Sequence, residues 1–195
     1  MNEARIGLLT GAVGIGKTTI AERVVGLARK NNLVCGGILA PAMHNSCGQK
    51  IGIWGVELIS DERRILARTD RDLGGPTIGP YSFDAEALEW AVSVIESALN
   101  PGTGQPCDLL IVDEIGKLEL WQGEGLAPIM VHLASGEANR SLVLVRVSLL
   151  AELQNKLAPI EQIVFEANEH NRRGMPARLL EELVLSNHDL SVSPQ

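Results

Sequence analysis

The sequence predicts a three-layer α/β fold with a mostly parallel sheet, and two observations support this prediction. Short aliphatic stretches alternate with longer stretches in which apolar residues recur at helical spacing, as in strands covered by helices. Aromatic residues make up only 3% of the 195 residues, whereas 45% are hydrophobic, so aliphatic side chains must build the core. Such a core suits parallel strands that are buried on both faces.

The first predicted unit is a strand, a glycine-rich turn and a helix. Residues 5–10 form a short apolar strand, and apolar residues at helical spacing predict a helix over residues 17–30. The basic pair Arg29–Lys30 suits the C-terminal end of that helix. Residues 33–39 are the second strand candidate, with a bend or bulge expected at Gly36–Gly37.

An antiparallel hairpin insertion is predicted at about residues 50–68. Residues 50–59 are rich in Ile, Val and Trp, and the turn signal Ser60–Asp61 separates them from the apolar run 65–67. Residues 72–80 are rich in glycine and proline and therefore predict a loop. Asp84 then stands in position to cap a helix over residues 85–99.

The second half of the chain continues the alternation of strands and helices. A second loop is expected at residues 100–105, and a loose polar tail at about 186–195. No linker or repeat divides the chain, so we predict a single domain over residues 1–195. The remaining predicted strands are 108–112, 141–147 and 162–166, and the remaining predicted helices are 126–133, 149–157 and 176–185.

A glycine-rich segment with a lysine separates the first strand from the first helix. Residues 11–18 read Gly-Ala-Val-Gly-Ile-Gly-Lys-Thr and fit the Walker A pattern G-x-x-x-x-G-K-[ST]. A fortuitous glycine turn is the alternative, but the motif requires the strand and helix that flank it here. We predict a P-loop that binds a nucleoside triphosphate such as ATP or GTP through Gly11, Ala12, Val13, Gly14, Ile15, Gly16, Lys17, Thr18 and Thr19.

The residue types of this loop match the chemistry of a triphosphate. Glycines allow the backbone N–H groups to turn toward the anion, and the following helix adds its own free N–H groups. Lys17 is a predicted catalytic residue because its ammonium group can reach the β- and γ-phosphate oxygens. The hydroxyl group of Thr18 is a predicted ligand of Mg²⁺.

Two adjacent carboxylates end a predicted buried strand. Residues 108–112 are mainly apolar, and Asp113 and Glu114 follow them, as in a Walker B motif. Ligands of open α/β sheets bind at the carboxyl ends of the strands, so these acids should face the phosphates. We expect Asp113 to hold the hydrated Mg²⁺ and Glu114 to orient or deprotonate a water molecule. An acidic start to a solvated loop is the alternative.

Residues 113–120, Asp-Glu-Ile-Gly-Lys-Leu-Glu-Leu, resemble the signature of small P-loop nucleoside-triphosphatases, the family of the cancer-related nucleoside-triphosphatase and its thermophile relatives. The likeness extends to residues 36–41 and to the segment with Asn171, Arg172 and Met175-Pro176. It implies a RecA-like P-loop NTPase fold and Mg²⁺-dependent hydrolysis of ATP, GTP and other triphosphates with little base selectivity. By the same likeness, Asp113 is the magnesium-side acid and Glu114 the catalytic base. Residues 146–148, Arg-Val-Ser, depart from the Thr-Val-His-like ending that is typical of the family.

Several weaker candidates and two rival functions stay open at this point. Lys117 and Glu119 suit either a nucleotide contact or a surface ion pair, and Arg146 either a γ-phosphate contact or a solvated strand end. Asn171 and Arg172 follow the last strand, where P-loop proteins contact the base, or they form a soluble loop. A P-loop kinase with acceptor-binding arginines is the first rival. The second is a nucleotide-controlled switch, motivated by the mobile-looking loop at residues 74–80.

Composition limits the partners. The formal net charge of −7 argues against wide contact with nucleic acid, which requires a cationic surface. No apolar stretch is long enough for a membrane span, and no signal peptide is recognisable. The three cysteines, Cys35, Cys47 and Cys107, lack metal-site spacing and suit reduced thiols. We therefore expect a cytoplasmic protein, with a monomer as the default.

Overall fold

A computed structural model describes residues 4–100, 102 and 107–185. The loop predicted at residues 100–105 and the tail predicted at residues 186–195 lie wholly or mostly outside this range. The strands are β1 (Arg5–Gly11), β2 (Cys35–Leu39), β3 (Ala42–His44), β4 (Lys50–Glu57), β5 (Arg63–Arg68), β6 (Thr77–Ile78), β7 (Tyr81–Phe83), β8 (Leu109–Ile115), β9 (Arg140–Val145) and β10 (Glu161–Ala167). The α-helices are α1 (Lys17–Lys30), α2 (Ala85–Leu99), α3 (Met130–Ser135), α4 (Leu150–Leu157) and α5 (Met175–Leu183).

All of these strands belong to one sheet in the order β10-β1-β9-β8-β2-β4-β5-β7-β6, with β3 beside β4. The pairs from β10 to β2 are parallel, whereas β4, β5, β7 and β6 continue the sheet in antiparallel pairs. Strand β9 lies between β1, which leads into the glycine-rich loop, and β8, which carries the acidic pair. The predicted P-loop fold, with these two strands separated by a third, is confirmed.

Helices cover both faces of the sheet, as the aliphatic strands predict. Helices α1 and α5 pack against one face, over a core that includes Leu9, Ile111 and Phe165. Helices α2, α3 and α4 cover the opposite face, over a core that includes Leu8 and Val112. Successive residues of a strand thus point to opposite faces of the sheet, as the two-residue repeat of a strand requires. This holds for residues 8 and 9 of β1 and for residues 111 and 112 of β8. None of the described helices is long and apolar enough to cross a membrane.

The predicted hairpin and helix cap are both present. Strands β4 and β5 pair antiparallel, and a turn joins them where Ser60–Asp61 predicted one. The carboxylate of Asp84 accepts a hydrogen bond from the backbone N–H of Ala87 at 2.9 Å, which caps α2. The sequence did not predict the short strands β3, β6 and β7, since each is too short to show a pattern. It also missed a π-helical turn at Leu118–Gln122.

The helix predicted over residues 126–133 differs from the observed one. The segment starts with a short 3₁₀ turn at Ala127–Ile129 and becomes α-helical only at Met130. Pro128 lies inside that turn and has no backbone N–H to donate, which explains the later start of regular helix.

Gly37 allows β2 and β8 to pair closely. Its φ angle is 95°, and a Cβ atom added there would lie 2.1 Å from the carbonyl oxygen of Ile111. A side chain would therefore clash with the backbone of the neighbouring strand and also strain its own backbone. The pairing of β2 with β8 continues in register through Gly36 and Gly37, so the expected bulge is absent from this ladder and the glycine serves close strand pairing instead.

We predict that Gly37→Ala lowers the free energy of unfolding by roughly 3 kcal/mol or more, because strain and overlap add. The matched control is Gly26→Ala in α1, where nothing lies within 4 Å of the added Cβ. Alanine there should stabilise the protein by about 0.5–1 kcal/mol. Urea unfolding of the two variants measures both effects, and equal small changes would contradict the prediction.

Candidate active site

The sheet brings three functional segments to one edge. Strands β1, β9 and β8 are parallel neighbours, so their carboxyl ends lie side by side. The glycine-rich loop follows β1, Arg146 follows β9, and Asp113 and Glu114 lie near the end of β8. This is the edge at which open α/β sheets bind their ligands.

The loop after β1 presents backbone N–H groups to this edge. Gly14 and Gly16 have φ angles of 82° and 95°, which favour glycine, and the N–H of Ile15 bonds to the carbonyl oxygen of Ala12 at 3.2 Å. Helix α1 begins at Lys17, and the N–H of Ile20 bonds to the carbonyl oxygen of Gly16. The N–H groups before Ile20 have no acceptor within the helix, and N–H groups at the start of a helix suit an anion.

Two cations contact the carboxylate of Glu114. The ammonium group of Lys17, only 9% exposed, lies 3.5 Å from Oε2 of Glu114. The guanidinium Nε of Arg146 donates a hydrogen bond to Oε1 of the same residue at 2.9 Å. The structure therefore brings together both predicted catalytic residues, and it adds Arg146, which the sequence left between two interpretations.

Asp113 is buried beneath the loop. Its side chain is 4% exposed, and Oδ2 accepts a hydrogen bond from the backbone N–H of Ala40 at 3.0 Å. The hydroxyl of Thr18 also hydrogen-bonds to this carboxylate. Burial raises the pKa of Asp113 to about 6, against the lowering effects of Ala40, Thr18 and Lys17. The sequence did not single out Ala40, although its position just after a neighbouring parallel strand was a usable signal.

The donor set formed by Thr18 and Asp113 fits Mg²⁺. Both groups offer oxygen atoms, which Mg²⁺ prefers, and the hydroxyl of Thr18 in the first turn of α1 hydrogen-bonds to the carboxylate of Asp113 in β8. Mg²⁺ usually takes only one or two ligands from the protein, and water molecules and phosphate oxygens complete its coordination shell. Among the described residues, no cluster of three His, Cys, Asp or Glu residues offers a separate metal site.

Glu119 turns inward instead of facing the nucleotide edge. Its carboxylate accepts hydrogen bonds from the backbone N–H of Gly116 at 2.8 Å and of Leu126 at 3.2 Å. Burial raises the pKa of Glu119, although these hydrogen bonds act in the opposite direction. The carboxylate thus ties the turn after Glu114 to the following loop, a role that the sequence did not reveal.

Lys117 and Trp121 form an exposed pair beside the acidic strand. The ammonium group of Lys117 lies 4.6 Å from the centre of the Trp121 ring, and the indole N–H donates to Oε2 of Glu152 at 3.0 Å. Trp121 is 58% exposed, so its ring lies at the surface. The π-helical turn, which the sequence did not predict, is what carries the ring outward.

Asn171 and Arg172 lie in the loop after β10. The side-chain amide of Asn171 donates to the carbonyl oxygen of Glu166 at 2.9 Å and accepts from the N–H of Asn168 at 2.8 Å. These bonds fix the loop that follows the strand next to β1. Arg172 is exposed in the same loop.

Comparisons with known proteins identify the family of this chain. A sequence model of the family described as NTPase matches residues 7–180. The nucleoside-triphosphatase THEP1 of Pyrobaculum aerophilum is 38% identical over 117 residues, which are 60% of each chain. That of Methanosarcina barkeri is 30% identical over 173 residues, which are 88% of this chain and 92% of the relative. The chain thus spans about three fifths of the first relative's length and nearly all of the second.

Two solved structures share the fold. The crystal structure of THEP1 from Aquifex aeolicus superposes with a TM-score of 0.70 at 18% identity, over 91% of this chain and 98% of that one. The solution structure of a human cancer-related nucleoside triphosphatase has a TM-score of 0.68 at 23% identity, over 97% and 100% of the two chains. At these identities the likeness is one of fold.

Because Asp113 is buried, we expect it to lower the free energy of unfolding in a pH-dependent way when nucleotide and Mg²⁺ are not bound. Its folded pKa of about 6 exceeds the ordinary value of 3.8, so its contribution to stability is full below pH 4 and falls as pH rises to 6. We predict that Asp113→Asn raises the free energy of unfolding at pH 7 by roughly 2–3 kcal/mol, and that this gain vanishes near pH 3.5. Urea unfolding across this range measures the difference, with Asp108→Asn at the opposite end of β8 as control. A gain that does not change with pH would contradict the prediction.

The two hydrogen bonds of Glu119 predict a structural role. We expect Glu119→Ala to lower the free energy of unfolding by roughly 2 kcal/mol, because two backbone N–H groups lose their acceptor. Glu119→Gln should lower the free energy of unfolding by less, since its amide oxygen still accepts one hydrogen bond. Exposed Glu124 lies in the same loop, and Glu124→Ala should change stability by less than about 0.5 kcal/mol. Equal effects of the two alanine variants in urea unfolding would be the opposing result.

Proposed function

This chain belongs to the NTPase family, and from that premise we propose that it is a nucleoside-triphosphatase. It hydrolyses ATP, GTP and other nucleoside triphosphates to the diphosphate and phosphate, depends on Mg²⁺ and has broad base specificity. The contact between Glu114 and Lys17, 3.5 Å long, supports this proposal best. It puts a carboxylate beside the cation that a P-loop uses for the β- and γ-phosphates, where an attacking water molecule must stand.

The P-loop binds the phosphates through its backbone amides and Lys17. Residues 11–19 form the cradle, and the positive end of the α1 dipole adds to its attraction. Glu114 orients the water molecule and accepts its proton as general base. Lys17 must leave Glu114 when it binds the phosphates, which frees one carboxylate oxygen for this task.

Thr18 and Asp113 are the residues that hold Mg²⁺ in this proposal. When bound, the metal neutralises charge that develops on the phosphate oxygens. The backbone N–H of Ala40 donates to Oδ2 of Asp113 and so fixes the position of this carboxylate beside Thr18. Burial raises the pKa of Asp113, and a cation bound beside it would lower that pKa and so favour the ionised form that a metal ligand needs.

The loop after β10 is the proposed base contact. Asn171 supports the loop through its two side-chain hydrogen bonds, and Arg172 can stack its planar guanidinium group on a base. A stacking contact recognises the face of a ring and not its edge, so it accepts purines and pyrimidines alike. This is the physical basis of the broad base specificity that we propose.

The rival kinase function finds little support in the hairpin. Arg64 lies over the Trp90 ring at 4.8 Å, and Arg68 pairs with Asp70 at 2.6 Å, so two of the arginines that would bind a second substrate are engaged elsewhere. The switch hypothesis rested on a mobile loop at residues 74–80. In that loop, the N–H groups of Gly74 and Gly75 bond to Asp72 and Phe83.

The wider setting is part of the proposal. The three free cysteines suit a reducing cytoplasm, and the net charge of −7 suits a small-molecule substrate instead of nucleic acid. We propose a single catalytic domain over residues 1–195 that acts as a monomer and independently of membranes.

We predict that the protein releases phosphate from ATP, GTP, CTP and UTP in the presence of Mg²⁺. Lys17→Ala and Glu114→Gln should each lower kcat/KM by about 10²-fold or more, since they remove phosphate binding and the general base. Lys30→Ala, at the opposite end of α1, and Glu124→Gln, on an exposed loop, are the matched controls and should retain activity within about twofold. The proposal fails if the unmodified protein releases no more phosphate than Glu114→Gln.

A further inference from the structure

We propose that Arg146 is a further catalytic residue, which binds the γ-phosphate of the nucleotide and so acts as an arginine finger supplied by the chain itself. This inference deepens the proposed function and rests on it. Its basis is the juxtaposition of Arg146, Lys17 and Glu114 at the carboxyl edge of three adjacent strands.

The carboxylate of Glu114 bridges the two cations. One oxygen lies 2.9 Å from the guanidinium Nε of Arg146, and the other lies 3.5 Å from the ammonium group of Lys17. Two cations that converge on one small anion define a site for an anion with at least two oxygens. The P-loop directs Lys17 to the β- and γ-phosphates, so the anion that replaces the carboxylate between these cations is the terminal phosphate.

Arg146 has donors to spare for this second anion. The guanidinium group carries five N–H donors in a rigid fork, and in the described part of the chain its one hydrogen bond runs from Nε to Glu114. The side chain is 46% exposed, so the fork can turn without disturbing the core. Strand β9 fixes its base, because residues 141–145 are buried between β1 and β8. A flexible side chain on a rigid support suits a group that moves from carboxylate to phosphate.

The proposed role in the reaction is charge stabilisation. The water oxygen attacks the γ-phosphorus, and its proton passes to Glu114. The bond from the γ-phosphorus to the β–γ bridging oxygen breaks, and its electron pair stays on the departing diphosphate. Arg146 donates N–H groups to the γ-phosphate oxygens, whose negative charge is spread in the transition state. Because this arginine belongs to the chain, hydrolysis needs no partner to supply one.

The test compares binding of two ligands by calorimetry, with Mg²⁺ at fixed ionic strength. ADP lacks the γ-phosphate, and the β,γ-imido analogue of ATP has one that is not hydrolysed. We expect Arg146→Ala to raise the Kd of the analogue about tenfold, a loss of 1.4 kcal/mol, and to change the Kd of ADP less than about twofold. The kcat for ATP should fall about 10³-fold. Arg146→Lys keeps the charge but loses the fork. Its Kd for the analogue and its kcat should lie between those of Arg146→Ala and the unmodified protein.

Arg140→Ala is the matched control. Arg140 begins the same strand that Arg146 follows, so the same charge is removed at the opposite edge of the sheet. Both Kd values and kcat should stay within about twofold of the unmodified protein. An equal loss of ADP and analogue binding in Arg146→Ala would overturn the proposal, and so would unchanged binding of both ligands.

A double-mutant cycle adds a second, independent measurement. Glu114→Gln removes the carboxylate that competes with phosphate for the two cations, so the analogue should bind more tightly than to the unmodified protein. In the Arg146→Ala background this gain should shrink, and an undiminished gain would count against the shared anion site. These experiments measure binding alone. A protein that shows the expected binding but releases no phosphate would refute the proposed hydrolysis and leave the Arg146 contact standing.

Discussion

The contact between Lys17 and Glu114 depends on a constraint of the sheet: β9 must lie between β1 and β8. Adjacent strands lie about 4.8 Å apart, so the ends of β1 and β8 are roughly 10 Å from each other. Two long side chains can bridge that gap, and one residue at the end of the intervening strand can reach both. Arg146 occupies this position. Strand order and the loop between β1 and α1 together determine that these three residues meet.

The burial of Asp113 lowers the stability of the fold. A carboxylate that is 4% exposed is costly when ionised, and its pKa of about 6 reflects this cost. The hydrogen bonds from Ala40 and Thr18 offset part of it. The protein alone thus stabilises the ionised carboxylate only in part, and a bound cation would stabilise it further. The same reasoning does not apply to Glu119, whose buried carboxylate has two backbone donors and no place at the phosphate edge.

The motifs with local physical causes were predictable from the sequence. The glycines of the P-loop, the acidic end of β8 and the Asp84 cap each depend on neighbours in the chain, so their residue pattern indicates their structure. Contacts between distant segments were not predictable in this way. The bond from Arg146 to Glu114 spans 32 residues, and that from Ala40 to Asp113 spans 73. Both require the strand order, which the family resemblance implied in part but residue spacing alone does not fix.

The net charge of −7 would by itself repel a nucleoside triphosphate, yet the site is built to bind one. Screening resolves this opposition, because charges beyond about 8 Å are largely masked at physiological ionic strength. Inside that radius the phosphates meet helix N–H groups, Lys17 and Arg146, and both of these cations also contact the carboxylate of Glu114. The local field thus favours the anion. Arg146 strengthens this field only where the γ-phosphate lies, which is why a triphosphate gains more from it than a diphosphate does.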